Sequence, residues 1–199
     1  MMSKTYDSIY LASGSSRRQE LLLQLGVNFI QVANHFDESV LTGESPREYV
    51  TRVALGKALS ALQSGAHREE LPVLTADTTV VHDGEPLGKP HDLEHAVELL
   101  QRLSGQPHTV LSSVVIATSQ QQWQTTVETE VTFATLSEQL IERYCQTQEP
   151  LGKAGGYAIQ GLGGALVETI RGSYTNVVGL PIYETRLLLE QAGIRYALG

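Results

Sequence analysis

Apolar and polar positions along this chain fall into two alternating periods, short apolar runs of strand length and longer stretches with helical spacing. Ile9 to Ala12 is a short apolar strand. Arg17 to Leu25 places Leu21, Leu22 and Leu25 on one helical face, and Gly26 ends that helix. A second strand is expected at about Phe29 to Ala33, ahead of the acidic pair Asp37-Glu38. Ser45-Pro46-Arg47-Glu48 has the form of a capping box with proline at the first helical position, which predicts a long helix to about Ser64. Its apolar stripe is Val50, Val53, Ala54, Ala58, Ala61 and Leu62, with Lys57 off the centre of that stripe.

Leu71 to His82 reads as a strand interrupted at Asp77-Thr78 and resumed after it, with Asp83-Gly84 as a hairpin turn. Asp92 caps a helix through Ala96, Leu99, Leu100 and Leu103, ended by Ser104-Gly105. Two Val- and Thr-rich strands follow, His108 to Thr118 and Trp123 to Phe133, joined by a polar loop. Ser137 caps a further helix to about Thr147. The segment Gly152 to Gly164 carries too many glycines for a stable helix or strand, but it permits close backbone approach to a ligand. A strand over Ala165 to Ile170 and a helix over Pro181 to Gln191 close the pattern.

Strand and helix alternate early and hairpins dominate the middle. The expected class is therefore α/β with a mixed, partly antiparallel central sheet flanked by helices, in two lobes around a cleft. Residues 1–199 contain no internal repeat, disordered linker or low-complexity tract, and are read as a single domain.

Composition narrows the function. The formal net charge is −8 and 41% of residues are apolar, so an ordinary core is expected and a general nucleic-acid or membrane-surface binder is not. Any anion site must be local. The single cysteine, Cys145, has no partner for an internal disulfide and is expected to be a packed or half-exposed thiol. The polar stretch Met1 to Asp7 lacks the apolar core of a signal peptide, and no apolar run reaches membrane-spanning length, so the expected location is the cytoplasm.

Against that acidic background, Ser13-Gly14-Ser15-Ser16-Arg17-Arg18 stands at a strand-to-helix junction with two guanidinium groups, a place to hold phosphates. Singly, Lys57, Lys89 and Lys153 would be solvated surface residues. Converging with Arg17, Arg18, Glu38 and Asp77, they would form a polyphosphate-plus-metal pattern. Asp77 has apolar or small neighbours on both sides, and a carboxylate so placed must be paired, coordinated to a metal or used as a base, unless it serves as a turn or cap residue.

Several motif matches fail. His91-Asp92-Leu93-Glu94-His95 fits a zinc-protease expression, but Pro90 and the capping Asp92 put His91 outside the helix that carries His95. There is no Walker A sequence. The glycines from Gly161 to Gly164 lack dinucleotide-fingerprint spacing, and Asp77-Thr78-Thr79 lacks the second aspartate of a phosphoaspartyl phosphatase.

In order along the chain, Ser13 to Arg18, Thr75-Ala76-Asp77-Thr78, Gly88-Lys89-Pro90, Leu103-Ser104-Gly105 and Lys153 to Gly161 resemble the Maf family of nucleoside triphosphate pyrophosphatases. The wording from Lys153 to Gly161 resembles the branch acting on dTTP and UTP rather than the branch acting on 7-methyl-GTP. The resemblance implies hydrolysis of a nucleoside triphosphate between its α- and β-phosphates with a divalent cation, Mg²⁺ or Mn²⁺, and a homodimer. It implies Asp77 as proton acceptor, and Arg17, Thr78 and Gln160 as substrate-selecting residues. Ser13, Arg18, Lys57 and Lys89 are implied as phosphate-binding residues, with Glu38 and Asp77 at the metal. One position departs from the family, which commonly has proline where this chain has Ser16. The alternatives are a 7-methyl-GTP-type pyrophosphatase and a nucleotide-binding regulator of cell division without turnover. Cleaning of nucleotide pools and control of division would both follow from the same activity.

Overall fold

The computed structural model describes residues 5–64 and 71–199. Met1 to Lys4, part of the polar N-terminal stretch, lie outside the described residues. Among the described residues seven strands form one mixed sheet in the order β2-β1-β3-β5-β6-β7, with β4 paired to β3. By its contacts the chain divides into two compact units, the first holding residues up to Asp77, Ser112–Val127 and Gly179–Gly199, the second Thr78–Leu111 and Glu128–Val178.

In the first unit, β1 (Ile9–Leu11) is buried along its length and pairs in parallel with β2 (Phe29–Gln31) on one side and β3 (Val73–His82) on the other. The connections are α1 (Ser16–Gln24) and α2 (Pro46–Gln63), as parallel pairing requires. The expected capping box on α2 is present, with Ser45 Oγ accepting from Glu48 N and Glu48 returning the bond. Val50, Val53, Ala54, Ala58 and Ala61 are buried as the stripe requires, and Leu62 is half-buried. Ala54 and Ala58 pack on Val115 and Ala117 of β5 (Pro107–Ala117).

The second unit contains β4 (Glu85–Leu87) and α3 (Leu93–Leu103), then α4 (Glu138–Gln146), β7 (Val167–Arg171) and α5 (Tyr174–Val178). β6 (Gln122–Phe133) pairs antiparallel with β7. Asp83 and Gly84 have φ of 52° and 80°, the left-handed pair of a tight hairpin, and the His82↔Glu85 register closes it. α6 (Ile182–Gln191) completes the first unit. Among the described residues no helix is long and apolar enough to cross a membrane.

Two expectations change. β3 is not interrupted at Asp77-Thr78; it runs unbroken for 10 residues. A buried carboxylate does not break a strand when its side chain finds a partner, and Asp77 has one in Lys57. The short helix α5 escapes a reading of local pattern, because Thr175, Val177 and Val178 are poor helix formers. Tertiary contacts outweigh them: Ser173 Oγ accepts from Asn176 N, and the buried Asn176 amide donates to Val110 O and Thr129 Oγ1, each at 3.0 Å. The glycine-rich segment holds two short 3₁₀ turns, Ala154–Gly156 and Leu162–Leu166, and no longer element.

Candidate active site

Parallel strands place ligands beyond their C-terminal ends where chain order reverses. Here β1 is followed by β2 on one flank, and the chain then crosses to β3 on the other, so the reversal lies between β1 and β3. Leu11 is in register with Leu74, which sets Ser13 and the start of α1 at the end of β1, beside the stretch of β3 that leads to Asp77. At the head of α1, Ser15 makes no side-chain cap and the first turn carries no acidic residue. Ser45, Asp92 and Ser137 all cap their helices through the side chain, so the positive end of α1 is the less neutralised one.

Asp77 is 6% exposed and lies in the first unit with Lys57 and Glu38. The Lys57 ammonium donates to Asp77 Oδ1 at 2.8 Å and sits 2.8 Å from Glu38 Oε1, so the two carboxylates face one common point. α2 delivers Lys57, β3 delivers Asp77, and Glu38 comes from the irregular segment between β2 and α2. Arg18 reaches the same charge group. Its Nε donates to Gly179 O at 2.9 Å and its Nη1 to Ser13 Oγ at 3.3 Å. Burial lowers the proton affinity of its guanidinium, while the charges of Asp77 and Glu38 act in the opposite sense. Ser13 is buried, and its Oγ also accepts from Ser15 N at 3.2 Å. Arg17, half-buried beside it, has a buried Nε–H without a hydrogen-bond partner among the described residues, and desolvation pulls its proton affinity down against the pull of Glu20. The first unit therefore gathers Ser13, Arg18, Glu38, Lys57 and Asp77, with Arg17 next to Arg18.

The other expected residues belong to the second unit. Thr78 is half-buried on β3, next in the chain to Asp77; Lys89 is exposed after β4; and Gln160 is exposed between the two 3₁₀ turns. Lys153 precedes the first of those turns and its Nζ donates to Leu151 O at 3.3 Å. Outside this group, His91 does precede α3, yet its ring lies 4.2 Å from that of His95. Cys145 is buried on α4, and burial raises its thiol, which makes it a packing residue rather than a nucleophile.

Among the described residues no cluster of three or more His, Cys, Asp or Glu makes a ready ligand set for a metal. Two carboxylates directed at one point do suit a hard divalent cation that fills its remaining positions with water and phosphate oxygens. The donor chemistry of Glu38 and Asp77 therefore fits Mg²⁺ or Mn²⁺ arriving with a polyphosphate.

Residues 8–192 match the family described as Maf-like protein. This chain belongs to the Maf family. The dTTP/UTP pyrophosphatase of Shigella boydii serotype 4 (strain Sb227) is 51% identical over 183 residues, covering 92% of this chain and 92% of that one. The dTTP/UTP pyrophosphatase of Escherichia coli (strain K12) is 50% identical over the same shares of each chain. Among solved structures, protein VC0702 from Vibrio cholerae aligns over 71% of each chain at 13% identity with a TM-score of 0.36, too loose a likeness to bear on fold or function.

Two residues that the pattern of this Maf chain alone did not mark stand around the expected ones. Tyr49 on α2 is half-buried near Asp77 and Glu38, and burial together with their negative charge pushes its hydroxyl up to about 12, leaving a neutral O–H donor. Its place beside the apolar stripe, about two turns before Lys57, was the available signal. Glu149 is the second such residue. Its Oε1 accepts from Tyr144 Oη at 2.9 Å and Gly163 N at 2.8 Å, and its Oε2 accepts from Leu162 N at 3.0 Å. Burial works to raise the Glu149 carboxyl, but these donors more than offset it and hold it below the usual range. Tyr144 Oη in turn accepts from Ala158 N at 3.1 Å. A side chain at Gly161 would run into the Glu149 carboxylate and displace it from its donors. The Maf signature segment is thus pinned on both sides of Gln160. Ser16 stands at the first position of α1, and the helix begins there without the usual proline.

Proposed function

We propose that this Maf chain hydrolyses dTTP and UTP to the nucleoside monophosphate and pyrophosphate, as the enzymes that share half its residues are named to do. The observation that carries the reading is the Lys57 ammonium held between Glu38 and Asp77 at the strand reversal, beside Arg18 and Ser13. Phosphoryl chemistry needs cations to offset charge on the transferred group and a base for water, and this cluster supplies both residue types. Residues 1–199 act in this reading as one catalytic domain, since β3, β5 and β6 each contribute to both units.

In this reading Asp77 accepts the proton of the water that attacks the α-phosphorus. Its Oδ1 is engaged by Lys57, and among the described residues Oδ2 has no hydrogen bond, which leaves an acceptor for that proton. Ser13, Arg18, Lys57 and Lys89 bind phosphate oxygens. Glu38 and Asp77 hold the divalent cation, which supplies charge neutralisation on the triphosphate. Arg17, Thr78 and Gln160 select the nucleotide: the Gln160 amide offers a donor and an acceptor, matching the carbonyls and N–H on the edge of uracil or thymine. The acidic charge composition supports action on a small molecule in the cytoplasm rather than on nucleic acid or a membrane surface.

Pyrophosphate release measured with Mg²⁺ and Mn²⁺ across dTTP, UTP, the purine triphosphates and 7-methyl-GTP tests the reading. Fastest release from dTTP and UTP is expected. Preference for 7-methyl-GTP would move the chain to the other branch, and tight nucleotide binding with no release from any substrate would make it a regulator.

A further inference from the structure

In the reading above Glu38 is a cation ligand, yet its side chain is 46% exposed and it stands on an irregular segment, residues 32–45, between β2 and α2. A carboxylate on an unanchored loop loses much of its value as a ligand, because the loop must be ordered each time the cation binds. This segment is fastened along α2. Asn34 Nδ2 donates to Lys57 O at 2.9 Å, and Ser60 Oγ donates to His35 O at 3.4 Å. The Phe36 ring then occupies the notch left by Gly56, where a Cβ would overlap the ring. Past Glu38, Arg52 Nη2 donates to Ser39 O at 2.9 Å, while Nε and Nη2 grip the two Glu44 oxygens at 2.5 and 2.8 Å. Glu44 Oε2 also accepts from Leu41 N at 3.1 Å, and Asp37 Oδ1 accepts from Ser39 N and Oγ at 2.9 and 2.6 Å.

Glu38 lies between these two anchors, within two residues of each: Phe36 at Gly56 on one side, Ser39 at Arg52 on the other. Both anchors stand on α2, the helix that also delivers Lys57, so the carboxylate and the ammonium it meets are referred to one rigid element. Arg52 suits the task better than a lysine would, since its planar fork serves a bidentate carboxylate and a carbonyl together. We infer that Arg52 and Gly56 are positioning residues for Glu38, setting the affinity of this chain for its divalent cation without touching substrate. The inference rests on Glu38 being a cation ligand.

The test measures Mn²⁺ binding to the full chain in complex with a non-hydrolysable α,β-methylene analogue of dTTP, by loss of the free Mn²⁺ resonance, together with kcat at saturating Mn²⁺ and thermal unfolding. Arg52→Ala and Gly56→Ala are each expected to weaken Mn²⁺ binding about tenfold or more, the size typical of lost support behind a metal ligand. Arg52→Lys should fall between these variants and the parent chain. Adding Phe36→Leu to Gly56→Ala makes room for the new methyl group and should recover much of the loss. A role confined to stability would lower the melting temperature and leave Mn²⁺ affinity alone. Should Arg52→Ala fail to fold, Arg52→Lys and the Gly56→Ala pair with its rescue decide. Glu38→Gln separates the two levels. Mn²⁺ affinity lost in Glu38→Gln but kept in the Arg52 and Gly56 variants overturns the positioning role alone. Affinity kept in Glu38→Gln overturns the cation role of Glu38 and removes the ground for the inference.

Discussion

Asp77 combines features that seldom meet in one aspartate: 6% exposure, a strand that continues through it, and a lysine ammonium at 2.8 Å. Replacing it with Asn preserves size and an acceptor for Lys57 but removes the proton acceptor. Asp77→Asn should therefore keep the fold and nucleotide binding while kcat falls by about 10²–10⁴-fold. Rapid-quench turnover together with nucleotide binding by calorimetry checks this, and undiminished turnover would refute the role. Gln160 is a different kind of residue, exposed and held by its neighbours rather than by its own bonds. Gln160→Ala should reduce the preference for pyrimidine over purine triphosphates about tenfold, a loss of one good hydrogen-bonding contact in kcat/KM. An unchanged ratio would place base reading elsewhere. Asp77 was legible as a candidate because a carboxylate between Val73-Leu74 and Val80-Val81 requires an explanation. That Lys57 is its partner was not legible, since 20 residues separate them in the chain.

At the scale of elements, the α4 end and the signature segment behave as one piece, joined by Tyr144 and Glu149. Removing the Glu149 carboxylate leaves the Tyr144 hydroxyl and the Leu162 and Gly163 N–H groups without their acceptor. Glu149→Ala should cost about 2–3 kcal/mol of stability, on the scale of lost hydrogen bonds to a charged acceptor. It should also raise KM for dTTP more than it lowers kcat, because the segment carrying Gln160 loses its anchor. Denaturant unfolding and steady-state kinetics on the same preparation read both effects; a stability loss with unaltered kinetics would show that the clamp serves folding alone. Helices were the most legible elements, because Ser45, Asp92 and Ser137 declare their starts in the local sequence. Short α5 was not, since its support comes from Val110 and Thr129, 66 and 47 residues away from Asn176.

For the molecule as a whole, acid stability is set partly by His108, which is 3% exposed with its Nε2 2.8 Å from Tyr157 Oη. Burial, and then the neighbouring His82, lower it from 6.5 to about 4. The unfolded chain therefore binds this proton first, and the contribution of the neutral ring is complete above pH 6.5 and lost as pH falls toward 4. The loss is about 2 kcal/mol at pH 5 and approaches about 3 kcal/mol below pH 4. In His108→Gln, which retains a partner for Tyr157, the slope of unfolding free energy against pH should flatten over this window; an identical slope would clear His108 of the effect. The helix caps, the Asp83-Gly84 hairpin and the strand-to-helix junction at Ser13 to Arg18 were determined by the sequence alone, because each rests on residues within a few positions of one another. Tertiary structure decided the rest: that β3 passes unbroken through Asp77, that Glu38 and Asp77 share the Lys57 ammonium, and that Arg52 and Glu149 each secure a segment bearing a proposed site residue. Such facts depend on which side chains meet, and a local pattern holds no record of whether a partner lies 8, 13 or 20 residues along the chain.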